Sequence, residues 1–294
     1  MSWRNRSDLG HELVGELHDL LRIDDHWLVD QGNGFTWWAA DFAQSVWCDM
    51  GLYHNAQTTY RLHAETDLLR ARGRPQQYET VIEREMDATS FSSVIFDEES
   101  DTFKLHTSVF ATAENIEWLK KPFLAAVALQ VVEATQIGHK LASAVQGVPA
   151  TSAHPTAGIR NTADPILTTI PNYVKQPGQA PSRWTGASEW TLMERTMERE
   201  ANEFWCDHRS ALRATFYWSC GRPDQHILLM ITSDRPHPEL GSGLCCTLTV
   251  PLQLSPEHTA RLALELNKLE RFEWKRCHML GSWCCHEDHL AFKC

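Results

Sequence analysis

The chain has 294 residues, long for one core and comfortable for two domains, and 43% of them are hydrophobic, which is enough to fold. Lys and Arg number 27 against 38 Asp and Glu, for a net charge of −11. Residues 1–150 hold 12 basic and 22 acidic side chains, so they carry −10 and the remainder −1; this argues against non-specific binding to nucleic acid or anionic lipid, permits a basic partner, and otherwise serves solubility.

Residues 1–10 are polar and no apolar signal region follows them. The longest apolar runs, such as 124–129, fall far short of a membrane span. The expectation is a cytoplasmic protein without a membrane partner. The nine cysteines are odd in number and sit mostly in strand-like text. They read as reduced thiols acting as small buried hydrophobes.

Ser7 can cap a helix from Asp8 to about Arg22, with Leu9, Leu13, Leu17, Leu20 and Leu21 on one face. Strand text follows at 26–31, 34–39 and 44–50, with the glycines of 32–34 marking a hairpin. Residues 59–68 alternate: Tyr60, Leu62, Ala64 and Leu68 against Arg61, His63, Glu65 and Asp67. That pattern predicts an antiparallel strand with one buried and one wet face. Pro75 opens a helix to about Ala88 carrying Tyr78, Val81, Ile82 and Met86. Residues 92–96 and 102–110 form a hairpin around the acidic turn 97–101. A long amphipathic helix then runs from 114 to 145. Its stripe is Ile116, Leu119, Phe123, Val127, Val131, Ala134, Leu141 and Val145, and Glu114 and Glu117 stand at its positive end.

Residues 147–187 are rich in Pro, Gly, Thr and Ala and read as a linker, surface-attached through Ile166, Leu167, Ile170 and Tyr173. A helix over 189–200 and strands at 211–219, 226–233 and 244–252 come next. Ser255-Pro256-Glu257 supplies an N-cap, a proline at the first helical position and an acid in the first turn. That helix carries Leu262, Leu266 and Leu269, and a last hairpin pairs 278–285 with 289–294.

The second half repeats the layout of the first. Helix 76–88, hairpin 92–110 and helix 114–145 are matched by helix 256–269 and hairpin 278–294, with the final helix missing. The fold class is therefore α+β: two tandem units, each an antiparallel sheet with helices in α-βββ-α-ββ-α order, the second lacking its last helix. The divisions are 1–146, the linker 147–187 and 188–294. Helix 76–88 leading into SSVIFDEESDTFKLHTSVF, the LQVVEA of 129–134, and LALELNKLERFEW (262–274) leading into HMLGSW and HLAFKC carry a resemblance. The layout resembles the type III secretion chaperone fold and, most closely, its YbjN (Tir-chaperone-like) relatives. The resemblance implies a bacterial, cytoplasmic, non-enzymatic module that holds an extended protein client against its sheet and helices. Such chaperones pair as dimers, so two units in one chain imply an internal pseudo-dimer; a further homo-oligomer stays open.

Cys277, His278, Cys284, Cys285, His286, His289 and Cys294 are the ligand types of a zinc site. Their spacing fits no zinc pattern, and adjacent Cys284 and Cys285 point to opposite faces of a strand. His286 and His289 lie three apart rather than the four of a zinc-protease helix. Gly241-Ser242-Gly243 precedes a strand and so is no phosphate cradle. Cys48 or Cys206 can be paired with a histidine as a nucleophile, but fifteen histidines make such pairings cheap. No cofactor is expected. Of the twelve tryptophans, Trp37, Trp38 and Trp47 are the candidate protein contacts, because adjacent Trp37 and Trp38 must face opposite sides and leave one exposed. Three readings follow: a non-catalytic protein-binding module, chaperone-like or adaptor; a metal-binding regulator or enzyme using Cys277, His278, Cys285, His286 and His289; or a small-molecule sensor with a pocket between the units.

Overall fold

The computed structural model describes residues 2–54, 57–72, 74–85, 90–168, 187–207, 210–217, 226–232, 245–252, 254–272, 280–286 and 289–294. The first unit runs α1 (Leu9–Leu21), β1 (Leu28–Asp30), β2 (Gly34–Trp38), β3 (Ala43–Cys48), β4 (Leu52–His54), β5 (Gln57–Arg70), α2 (Pro75–Glu85), β6 (Ser93–Asp97), β7 (Thr102–Ala111) and α3 (Ile116–Ala144). A short β8 (Val148–Pro149) pairs back onto β5. The second unit runs α4 (Ala187–Glu200), β9 (Glu203–Asp207), β10 (Ala211–Tyr217), β11 (His226–Thr232), β12 (Cys245–Pro251), α5 (Pro256–Phe272), β13 (Ser282–His286) and β14 (His289–Lys293).

Both sheets are antiparallel and share one path. The first is ordered β1-β2-β3-β5-β7-β6, with β4 and β8 added beside β5; the second is ordered β9-β10-β11-β12-β14-β13. The molecule is α+β and built of two tandem units, and among the described residues no helix of the second stands in the place of α3. The expected α+β class and tandem layout hold, but four main-path strands rather than three stand between the first two helices of each unit, with β4 added in the first. Strand β9 went unread in the sequence, although Phe204 and Cys206 alternate with Glu203, Trp205 and Asp207 across it.

Local chemistry sets the boundaries. Asp8, rather than Ser7, caps α1: its carboxylate accepts the His11 backbone N–H at 3.2 Å. Arg22 closes the helix in the left-handed region with φ 52°. Leu20 departs from the expected apolar face and is exposed. Every member of the α3 stripe is buried. The strands of the first sheet give α1 and α3 a common core in which Phe35, Trp37, Val46 and Leu62 meet Leu13, Leu17, Phe123 and Val127.

A second core belongs to both units. Val81, Ile82, Phe96 and Leu105 pack with Val250, Leu264, Cys285 and Leu290. Helix α2 lies against α5 and β13, and α5 lies against β6 as well as its own β13. The outer strands of the two sheets are thus joined through exchanged helix contacts. Asn267 fastens the junction: its amide nitrogen donates to the Val94 carbonyl at 2.9 Å and to the Trp283 carbonyl at 3.0 Å, and its oxygen accepts the Trp283 N–H at 2.8 Å. One carboxamide satisfies edge groups of both sheets.

The segment after α3 packs on the first unit. Ala150, His154, Asp164 and Ile166 are buried, and Leu167 packs on the core, as the attachment through Ile166 and Leu167 anticipates. Ile170 and Tyr173 lie outside the described residues, as does Met86. The expected wet face of β5 needs correction: His63 is buried on it, and His106 of β7 is buried beside it.

Candidate functional site

Sheet register places Trp37 and Trp38 on opposite faces, as strand alternation requires, but neither is exposed. Trp37 lies under α3 and donates its indole N–H to Gln44 at 2.9 Å. Trp38 is roofed by the returning chain. Its indole donates to Ser152 at 3.0 Å, the His154 ring meets it edge-on at 5.0 Å, and its carbonyl accepts from Arg160. The expectation that one of this pair faces solvent is corrected, because residues 152–160 spend their contacts on Trp38. Trp47 is half-buried and stacks on His63 at 4.7 Å with the rings 9° apart. Trp37 lies on the opposite face from the other two, and Trp38 and Trp47 stand at opposite ends of the β2–β3 pair.

His63 extends from Trp47 into a polar chain. Its Nε2 meets Asp49 at 2.9 Å and its Nδ1 meets His106 at 3.2 Å. Burial works to raise the Asp49 carboxyl, but the hydrogen bond and charge of His63, with the charge of Arg61, outweigh it and hold the group below the usual carboxylate range. Two imidazoles and a carboxylate are thus linked in one line within the first unit.

Asp8, His11 and Cys48 bring three potential metal-binding atoms within 4.8 Å of one another. The order thiol, imidazole, carboxylate is also that of a nucleophile, its base and an orienting group. The electrostatics point elsewhere. Burial, then the charges of Asp8 and Asp49, push the Cys48 thiol up to about 12. Its Sγ donates to the Asp49 carbonyl at 3.1 Å. Asp8 is engaged by the His11 ring at 2.7 Å and by the helix N-terminus, whose positive end disfavours a cation. Cys48 is a protonated core thiol beside a cap.

The Cys/His group of the second unit does not gather among the described residues. Cys277 and His278 lie outside them. Cys284 pairs with Ala291 and Cys285 with Leu290, so the adjacent thiols face opposite ways, and both are buried in the shared core. Burial, then the charges of Glu83 and Glu79, push the Cys285 thiol up to about 11. His286 and His289 stand opposite each other across the hairpin. Cys206 lies half-buried against the core under α4.

The sequence reading missed the polar centre of the first unit. Gln130 of α3 is fully buried amid the apolar stripe. It accepts from Gln44 and from Thr66, both at 2.9 Å, and donates to Ser92 at 3.0 Å; Ser92 in turn meets Thr107 at 2.9 Å. A glutamine beside Leu129 and Val131 gives no signal of its partners until the strands are placed.

The second sheet presents two unlike faces. On one, the row Trp205–Arg213–Met230 points to solvent, and Trp205 is 55% exposed. Trp205, Arg213, Glu203, Thr215 and Phe204 line an open hollow of about 470 Å³. Tyr217 adds an exposed ring whose hydroxyl donates to Glu203. On the other, Phe204–Ala214–Leu229–Leu248–Phe292–Trp283 runs unbroken across all the strands. The sheet therefore offers exposed aromatic and apolar area beside a few charged groups. Comparison with protein-family models, with curated proteins and with solved structures finds no match.

Proposed function

We propose that the chain is a non-catalytic protein-binding module, chaperone-like or adaptor in kind, that holds a protein client on its second sheet. One observation carries this reading: Trp205, Tyr217 and Met230 stand exposed on one sheet face around a hollow with both Arg213 and Glu203 at hand. Exposed aromatic and apolar clusters of this kind mark interaction surfaces. The polar clusters of the first unit support the same reading, because the Cys48 thiol is held protonated and Asp8 is engaged in capping. The exchanged contacts of α2 and α5 support an internal pseudo-dimer of chaperone-like units, in line with the resemblance to the YbjN and type III secretion chaperone groups. No helix among the described residues is long and apolar enough to cross a membrane, and the proposed setting is the cytoplasm.

Site-specific crosslinking tests the reading. A photo-reactive residue in place of Trp205 should join the chain to a discrete protein in its native cells. Replacing Tyr217 and Met230 by serine should remove that adduct while leaving the circular dichroism unchanged. No adduct, or one indifferent to these substitutions, refutes the proposed surface.

A further inference from the structure

Among the described residues, one pair of cysteines stands in direct register. Strand β12 pairs with β14 through Leu248–Phe292 and Thr247–Lys293, and one step further Cys246 lies opposite Cys294. The Cys246 N–H donates to the Cys294 carbonyl at 2.9 Å, and the Cys294 N–H donates to the Cys246 carbonyl at 3.0 Å. An antiparallel pair of this hydrogen-bonded kind holds its Cα atoms about 5.5 Å apart, within the span of a disulfide. The side chains leave the same face of the sheet, and the two sulfurs share a hydrogen bond. Both are free thiols in this structure. Elsewhere the strands set cysteine against other residues, as with Cys48 and Leu62 or Cys245 and Thr232.

The two thiols are unequal. Cys294 is exposed, whereas Cys246 is half-buried and packs on the core under α4 beside Ile231. The hydrogen bond from Cys246 holds the Cys294 thiol below its ordinary value, against desolvation of the sulfur, which works to raise it. The same bond, then burial, pushes Cys246 the other way. An accessible sulfur that gives up its proton, beside one that keeps it, is the arrangement of an attacking thiol and the thiol that resolves it.

We infer that Cys246 and Cys294 are a reversible redox site that is oxidised to a disulfide by a low-molecular-weight disulfide of the glutathione type, Cys294 reacting first. The Cys294 thiolate attacks one sulfur of the oxidant and forms a mixed disulfide, and the other half leaves as a thiolate that takes up a proton. Cys246 then gives up its proton and attacks the Cys294 sulfur, and the second half leaves as a thiol. The chain loses two electrons and two protons, and the oxidant is reduced to two thiols. Excess thiol runs the exchange backwards. The new bond closes a loop from β12 to the end of β14 that contains α5, whose Asn267 joins the two sheets. Oxidation thus ties together the part of the second unit that grips the first. The inference is independent of the client surface at Trp205.

The test equilibrates the full chain with oxidised glutathione and reads its intact mass and its peptide map without reduction. The mass should fall by two hydrogen atoms, a Cys246–Cys294 linked peptide should appear, and dithiothreitol should reverse both. The oxidised chain should unfold at a higher urea midpoint. Cys246→Ser should stop the reaction with glutathione held on Cys294, whereas Cys294→Ser should leave Cys246 unmodified. Cys245→Ser, on the other face of β12, should change neither result. Because Cys246→Ser can disturb packing under α4, the unaltered chain is also quenched with acid at early times, when glutathione should be found on Cys294 and not on Cys246. Absence of the disulfide, a bond joining other cysteines instead, glutathione entering first at Cys246, or an unchanged urea midpoint on oxidation overturns the inference.

Discussion

Gln130 gives α3 its registration on the first sheet, because an apolar stripe can slide by a turn but a four-partner amide cannot. Its oxygen accepts from Gln44 and Thr66, and its nitrogen donates to Ser92 and, at 3.2 Å, to the Ala64 carbonyl. Gln130→Leu keeps the volume and removes every partner at once. Two effects then compete: burial of the new side chain contributes about 1–2 kcal/mol, and the stranded groups of Gln44, Thr66 and Ser92 cost about 1–3 kcal/mol each. The polar loss wins, and urea unfolding should show a net destabilisation of about 2–4 kcal/mol. A variant as stable as the parent would mean that water or rotamer change satisfies the orphans. The sequence made Val127, Val131 and Ala134 legible through their spacing, but it was silent on Gln130, whose meaning depends on side chains 64–86 residues away. The same limit explains Trp38. Alternation fixed its face, but its cover comes from residues 152–160, whose text carries no periodicity.

At the level of elements, α3 lies close against Phe42, in the connection between β2 and β3, at Gly138. A Cβ there would stand 2.5 Å from Cζ of the Phe42 ring, closer than real contacts allow. Gly138→Ala therefore sets two magnitudes against each other. Helix propensity favours alanine by about 1 kcal/mol, while overpacking a close-packed core costs about 1–3 kcal/mol. Phe42 is buried and has little space to retreat, so the expected result is a lower denaturation midpoint. A raised midpoint would show that the ring moves aside cheaply. Elements with strong local signals were legible: the Ser255-Pro256 start became α5, and the hairpin around 97–101 became β6 and β7. The short β9 was not, since five residues after a helix end give too brief an alternation to stand out. The packing of α5 on β6 was equally hidden, because nothing local in Asn267 announces the Val94 carbonyl it serves.

Across the whole molecule, the two units meet through buried polar groups whose charge state bears on stability, and Glu270 is the most exposed to this. It lies near the end of α5, its backbone carbonyl accepts from Arg61 of the first unit at 2.6 Å, and its carboxylate accepts from the Trp283 indole. The second carboxylate oxygen is buried without a hydrogen-bond partner. Burial pushes the carboxyl up to about 7, against the opposing pull of the Trp283 hydrogen bond. The folded state thus favours the neutral acid, while the unfolded chain releases its proton near the ordinary value of 4.5. Below that value both states are protonated and the group costs nothing. As the pH rises from 4.5 to about 7 the folded chain retains a proton that the unfolded chain has lost, so stability falls through this window and the penalty is complete above it. Its size is on the order of 1–3 kcal/mol. Glu270→Gln preserves shape and supplies a permanently neutral group. It should raise the urea midpoint at pH 8, leave it near the parent's at pH 4, and remove this part of the fall between the two. If parent and variant were equally stable at pH 8, the junction between the units would have to admit enough water to solvate the carboxylate. Because the same helix carries Asn267 into both sheet edges, the titration should be felt in one cooperative unfolding transition rather than in the second unit alone.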